Sequence, residues 1–327
     1  MPSIYTHYMF SQDVKNKLSK NVQAKINENE HYYNIFSQSF DNLYYYNFLS
    51  FKPGRKIRRL GSYAHYHNVN DYFTNILTYI KKNNLEDNSE VLCYLFGAIN
   101  HYMADSHLHP YINYRTGRYS IKRKKETKKY KGLHTNAEIR IDAHYYEKVT
   151  NKQFKRFKIH KNFIKKVNFS KQLINTINFA FKETFQVDNM GYIFNKSYNQ
   201  SKFVYQLLMY DPIGFKKLIY KIIDYITPFK DIVAAAFSLN KKPIEKEFFN
   251  LTHENWCNPI DNTIIYNSSW YDVYNEAATK AATLIEESYN FLNNKITLKK
   301  ISTLLGNNSY ATGMDLNDKR ITKYYRF

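Results

Sequence analysis

The sequence predicts an all-α protein, and three features carry that expectation. Glycine and proline are scarce, 9 and 7 among 327 residues, too few to punctuate a many-stranded β protein. Apolar residues recur three and four apart through most of the chain, the spacing of one helix face. Hydrophobic residues make up 43% of the chain, enough to fill one large core or two modest ones.

Taken in order, the spacing predicts helices over 12–28, 33–49, 69–84 and 88–106. Asp71 ahead of Tyr72 and Phe73, and Asn88-Ser89-Glu90 ahead of Val91, offer caps for free amides. A long basic loop is expected over 111–133, then a helix over 134–149. The second half predicts helices over 170–186, 195–209, 213–225, 228–239 and 268–296. The last is the most periodic, with Tyr274, Ala277, Ala278, Ala281, Ala282, Ile285 and Tyr289 on one side. The plain stretch 232–239 reads as a core helix. The basic stretch 149–166 is the best candidate boundary, but a single domain over 1–305 is expected, its metal ligands mainly in 1–150. Residues 306–327 read as an irregular tail.

The net charge is +20. A field of that sign attracts nucleic acid, anionic lipid or phosphorylated substrates. The abundance of Lys, Asn, Ile and Tyr, all with AT-rich codons, accounts for much of it without any partner. No apolar run approaches the eighteen or so residues that span a bilayer. The opening MPSIYTHYMFSQDV has no basic start followed by an apolar region, so no signal peptide is expected. Cys93 and Cys257 are the only cysteines and give no disulfide framework. Both are expected as buried thiols, and the location as cytoplasmic.

Chemistry concentrates in two stretches, HYMADSHLHP at 101–110 and GLHTNAEIRID at 132–142. His101 and Asp105 are four apart, as are His134 and Glu138, so each pair lies on one helix face a turn apart. On a solvated helix such a pair is usually a surface hydrogen bond. Here the apolar run 91–99 leads straight into His101, which places the pair inside, where charge survives only if paired or metal-bound. An imidazole and a carboxylate so placed can close on one zinc ion, whose donors stand about 2.0–2.2 Å away. Two pairs, with His109 just past the first, imply more than one ion.

These residues are similar to the zinc-dependent phospholipase C family, and most closely to its bacterial branch without a secretion signal. HYMADSHLHPYI and YKGLHTNAEIRID carry the strongest likeness. The opening MPSIYTHYMF with His7, FSQSFDNLYYY with Asp41, and Gly61-Ser62-Tyr63-Ala64-His65 resemble further family segments in the same order. So do WCNPI, the helix over 268–290 and Ser309-Tyr310-Ala311-Thr312-Gly313. The resemblance implies a multi-helical single domain of the phospholipase C and zinc-nuclease type, with a cleft for two or three zinc ions. It implies one zinc on Asp41, His65, His101 and Asp105, and a second on His109, His134 and Glu138. His7 and Asp105 would share a third, with Asp105 bridging. In secreted members a free amino-terminal tryptophan completes that third site; this chain starts at Met1, six residues before His7, with no tryptophan there.

The activity so implied is phosphodiester hydrolysis, releasing diacylglycerol and a phosphorylated headgroup from a glycerophospholipid. Asp41 and Asp105 are the expected catalytic carboxylates, Asp41 by activating water. Two alternatives stand beside it. One is a single-strand nuclease of the same fold, which the charge suits. The other is a metal-binding, membrane-associated protein with little turnover. The basic loop over 122–131 is read as a solvated loop, with attraction of anionic headgroups as the alternative. His107 is expected at the surface or behind a ligand. Asp142 either orients His134 or His109 or is a solvated carboxylate. His67 and His144 are expected to face solvent. Trp256 and Trp270 are read as core landmarks. Oligomeric state is left open.

Overall fold

The computed structural model describes residues 4–48, 53–120, 123–227 and 232–326. Its centre is a 28-residue helix. In chain order the α-helices are α1 (Ile4–Lys17), α2 (Lys20–Glu28), α3 (Glu30–Phe36), α4 (Pro53–Ala64), α5 (Val69–Lys82) and α6 (Ser89–Thr116). Then come α7 (Lys124–Thr127), α8 (Leu133–Thr150), α9 (Ile159–Asn162), α10 (Lys171–Phe185) and α11 (Met190–Val204). The last are α12 (Phe215–Ile226), α13 (Val233–Phe237), α14 (Trp270–Leu292) and α15 (Leu298–Leu305). A single antiparallel pair, β1 (Trp256–Asn258) and β2 (Asp261–Tyr266), is the only sheet among the described residues. The all-α expectation therefore holds, with this small hairpin as a departure inside 1–305. Among the described residues, no helix is long and apolar enough to cross a membrane.

α6 is buried on nearly every side, as the run from Val91 to Ile99 predicts. Its first turn is capped by Asn88, whose side chain accepts from the Val91 amide at 3.0 Å. α3 and α14 pack along it. The α3 crossing is close because Gly97 has no side chain; a Cβ there would stand 2.7 Å from Phe36 Cβ and 2.8 Å from the Tyr33 carbonyl. Trp256 and Trp270 are both buried, each with its ring edge-on to that of Tyr111 of α6.

Several boundaries differ from expectation for identifiable reasons. The helix expected over 12–28 is two helices, α1 and α2, separated at Leu18 and Ser19. The one over 33–49 is α3 followed by a 3₁₀ turn, Ser39–Tyr45; residue 49 lies outside the described residues. α5 begins at Val69, so Asp71 sits in its first turn and does not cap it. α6 runs on past Pro110 to Thr116, where expectation ended it at 106. A proline inside a helix removes one hydrogen bond and crowds the carbonyl four residues back. Tertiary contacts hold this one, including the Asn113 side chain donating to the Ala311 carbonyl at 2.8 Å. The basic loop is accordingly shorter and contains α7; residues 121–122 lie outside the described ones. Of the helix expected over 228–239, residues 228–231 lie outside the described residues and only Val233–Phe237 is α-helical. α4 and α15 were not expected. Cys93 is buried but Cys257 is half-exposed, since it sits on the hairpin.

Of the segment over 306–327, residue 327 lies outside the described residues, and the rest is irregular apart from an isolated bridge between Asn308 and Asp315. It nevertheless folds back onto α6. Tyr310 is buried, and Gly313, at φ +67°, approaches so closely that a Cβ would lie 2.5 Å from the Ser106 carbonyl.

Candidate metal centre

Because α6 continues through Pro110, it presents His101, Asp105 and His109 one turn apart along one face. α8 lies beside it and presents His134 and Glu138 in the same way. Three shorter pieces complete the ring. α1 brings His7, the 3₁₀ turn after α3 brings Asp41, and the residue after α4 is His65. All eight side chains expected at a metal site therefore converge.

They form two sets. One donor atom from each of His7, Asp41, His101 and Asp105 lies within 4.8 Å of all the others, and the same is true of His109, His134 and Glu138. His65 Nε2 joins the first set, 3.3 Å from Asp41 Oδ1 and 3.3 Å from His101 Nε2. His101 Nε2 is 3.7 Å from Asp41 Oδ2 and 3.6 Å from Asp105 Oδ2. Donors about 2.0–2.1 Å from a common tetrahedral zinc stand roughly 3.3–3.4 Å apart, close to these spacings. In the second set, Glu138 Oε1 is 3.2 Å from His109 Nε2 and 3.0 Å from His134 Nε2.

Asp105, a member of the first set, faces three ways. Its Oδ1 is 3.3 Å from His7 Nε2. Its Oδ2 faces His101 and His65, and is 3.7 Å from His109 Nδ1. One carboxylate thus points its two oxygens at different imidazoles, the disposition a bridging ligand needs.

The rings are held in the tautomer that a metal requires. His65 Nδ1–H donates to the Gly61 carbonyl at 2.7 Å, and His109 Nδ1–H to the Tyr310 carbonyl at 2.8 Å. In the neutral rings both Nε2 lone pairs then face inward. Glu138 Oε2 is buried with no hydrogen-bond partner among the described residues. Asp41, Asp105 and Glu138 are all buried, and their ion-pair partners among the described residues are histidines alone. Uncompensated buried ions cost several kcal/mol each. Protons on the imidazoles compensate in part. Burial pushes Glu138 up, but His134 and His109 outweigh it and hold its carboxyl well below the usual range. Asp105 is held low in the same way, against its burial, by His109, His101 and His7. Burial lowers His101 to about 4, so that ring stays neutral and brings no charge. A divalent cation between the donors supplies what the protons do not, and the donor set fits zinc.

Access is uneven. His101 is fully enclosed, whereas the His134 side chain is 28% exposed, the most open of the eight. The centre therefore opens toward the first turn of α8.

Two supports escaped sequence reasoning. Asp142 neither orients a histidine nor faces water. It is buried, and its carboxylate accepts from the Tyr5 amide at 3.0 Å, the Thr6 amide at 2.8 Å and the Thr6 hydroxyl at 2.7 Å. A carboxylate on the first-turn amides of a helix is favoured by their unsatisfied donors and the helix dipole. It ties α1, and so His7, to the helix that bears His134 and Glu138. Its position four residues after Glu138 was visible; its partners, 136 and 137 residues away, were not. Tyr310 is the second support. Its ring lies 4.9 Å from that of His65 and 5.5 Å from that of His101. It sat in a stretch already singled out by resemblance, with no role attached.

The remaining histidines lie apart from the centre. His107 is partly buried, with Nδ1 2.9 Å from the Met103 carbonyl and Nε2 3.4 Å from Lys280 Nζ. His67 is exposed and stacks on Tyr63. His144, expected in solvent, is half-buried against Phe249 and bonds the Tyr271 hydroxyl at 3.1 Å.

Comparison with known proteins agrees with this geometry. A family model described as zinc dependent phospholipase C matches residues 6–187, the span that holds all eight converging side chains. No curated protein and no solved structure matches the chain.

Proposed function

The chain belongs to the zinc-dependent phospholipase C family, and from that premise we propose that it hydrolyses a glycerophospholipid to diacylglycerol and a phosphorylated headgroup. The observation that carries this reading is the pair of converging donor sets, one containing His7, Asp41, His101 and Asp105 and the other His109, His134 and Glu138. Asp41, His65, His101 and Asp105 would hold one zinc ion, and His109, His134 and Glu138 a second. His7, facing Asp105 Oδ1 at 3.3 Å, would contribute to a third. When bound, zinc polarises a phosphodiester, offsets its charge and brings the pKa of a coordinated water to about 7.

The chain's own residues supply the rest. Asp105 would bridge the first and third ions, its Oδ2 toward His101 and its Oδ1 toward His7. Asp41 lies beside His65 and His101 and can accept a proton from an attacking water in the cleft. Gly61 and Tyr310 carbonyls keep His65 and His109 from rotating. Exposure of His134 gives the phosphodiester its way in.

The test uses purified, zinc-supplied protein on phosphatidylcholine vesicles, on single-stranded DNA and on p-nitrophenyl phosphorylcholine. The reading expects diacylglycerol from the vesicles, abolished by His101→Ala. Cleavage of DNA with no release of diacylglycerol would establish a nuclease instead. Metal binding without turnover of any substrate would leave the non-catalytic alternative.

A further inference from the structure

α12 has the sequence FKKLIYKIIDYI, and its apolar residues recur at helical spacing: Phe215, Leu218, Ile219, Ile222, Tyr225 and Ile226. Such a stripe ordinarily faces a core. Here it faces outward, all six residues being exposed, with Tyr225 at 83% and Ile226 at 71%. The orientation is held by the polar side, which is turned inward and satisfied. Lys216 Nζ donates to the carbonyls of Leu207 and Tyr210, at 2.6 and 2.9 Å, and Lys217 Nζ to that of Asn240 at 2.8 Å. Asp224 is buried and accepts from the amides of Ile232, Val233 and Ala234 at the start of α13. Rolling the helix to bury its stripe would break every one of these bonds. The exposed side is therefore the built side, and a contiguous apolar patch of this kind marks an interaction surface.

The ground beside the stripe is basic. An 1180 Å³ groove runs between α12 and α13 on one side and the α7–α8 segment on the other. Lys124, Lys125, Lys128, Lys129, Lys221 and Lys241 line it, against the acidic Glu126 and the Asp224 already engaged by amides. Leu133 and Asn136, which flank His134, line the same groove. Apolar stripe and basic groove thus lie together, joined at Lys221 and Tyr225 of α12.

We infer that α12 docks the protein on an anionic lipid bilayer, its apolar stripe at the level of the headgroups and the lysines of the groove against anionic lipid. An interfacial helix combines these two elements, since apolar burial and attraction to anionic lipid add. Charge complementarity favours a bilayer over a second copy of this chain, which would bring a second +20 surface to the contact. The purpose of the docking rests on the lipid substrate proposed above; its geometry does not. All of α12 lies outside the span matched by the family model.

The experiment is cosedimentation of the zinc-loaded protein with vesicles of phosphatidylcholine mixed with phosphatidylglycerol, and with vesicles of phosphatidylcholine alone. Wild type is expected to prefer the anionic vesicles, less so as salt is raised. The double variant Leu218→Asp/Ile222→Asp is expected to bind on the order of tenfold or more weakly, with zinc content and hydrolysis of p-nitrophenyl phosphorylcholine unchanged. Phe215→Ser/Tyr225→Ser, a milder change on the same stripe, is expected to weaken binding in the same direction. His101→Ala is expected to bind vesicles normally, so wild type that binds vesicles but turns over nothing supports the docking while sinking the lipase reading. Failure of wild type to bind anionic vesicles overturns the docking. So does undiminished binding by both stripe variants. A vesicle-free dimer abolished by the same substitutions also overturns it, assigning the stripe to a second copy.

Discussion

At the residue scale, the buried carboxylates in and beside the centre have different tasks, and substitution by the amide separates Asp105 from Asp142. Asp105→Asn leaves the shape but removes the charge that its two oxygens present to His7 and His101, so metal content and turnover are expected to fall together. Asp142→Asn touches no donor. It places an NH₂ group where three donors already point, and is expected to cost about 1–3 kcal/mol. The readouts are melting temperature and zinc per chain for both variants at saturating zinc. Equal zinc loss in both would remove the bridging assignment of Asp105. A pH dependence follows from His109. Burial lowers its pKa, but Asp105 and Glu138 outweigh that and raise it to about 9. The unfolded value is about 6.5. A raised histidine stabilises the fold fully below the unfolded value and loses that contribution as pH rises through the folded one. Metal-free protein is therefore expected to lose melting temperature between about pH 7 and 9.5. Zinc-loaded protein, with its imidazoles already neutral, is not. Parallel thermal melts across that range check it.

At the element scale, most helices were legible because their periodicity is local. α5, α8, α10 and α14 lie within a few residues of where apolar spacing puts them. The errors came where a distant segment overrides a local rule. Pro110 reads as a stop, yet α6 passes through it under contacts from residues some two hundred positions away. That continuation puts His109 on the same face as His101 and Asp105. Gly313 is the point of closest approach. Gly313→Ala adds a Cβ that meets the Ser106 carbonyl at 2.5 Å and does so at a φ that disfavours any side chain. The variant is expected to displace Tyr310, whose carbonyl fixes His109, and so to weaken the His109–His134–Glu138 site more than the other. Zinc titration of the variant resolving one weakened and one intact class of site is the expected result; two unchanged classes would show that the final segment does not support the centre.

At the scale of the whole molecule, the chemistry was more legible than the surface. The two i,i+4 pairs announced themselves, since a helix puts such residues together without help from the rest of the fold. His7, Asp41 and His65 came only from resemblance, because no local pattern distinguishes them from other histidines and aspartates. The outward direction of the α12 stripe was not legible, for apolar spacing of three and four says that a face exists and not which way it points. Inward bonds of Lys216, Lys217 and Asp224 decide that, and they depend on carbonyls and amides of neighbouring segments. The net charge gains meaning in the same way, once the lysines of one groove are seen beside the apolar stripe of α12.

The central claim is that this fold holds at least two zinc ions in two donor sets, one of Asp41, His65, His101 and Asp105 and one of His109, His134 and Glu138. Elemental analysis of zinc per chain tests it most directly, in wild type, His101→Ala and Glu138→Ala, after removal of loosely bound metal. The account predicts two or more ions in wild type and about one fewer in each folded variant, lost from different sites. Fewer than one zinc in wild type, or variants that retain the full complement, would contradict it.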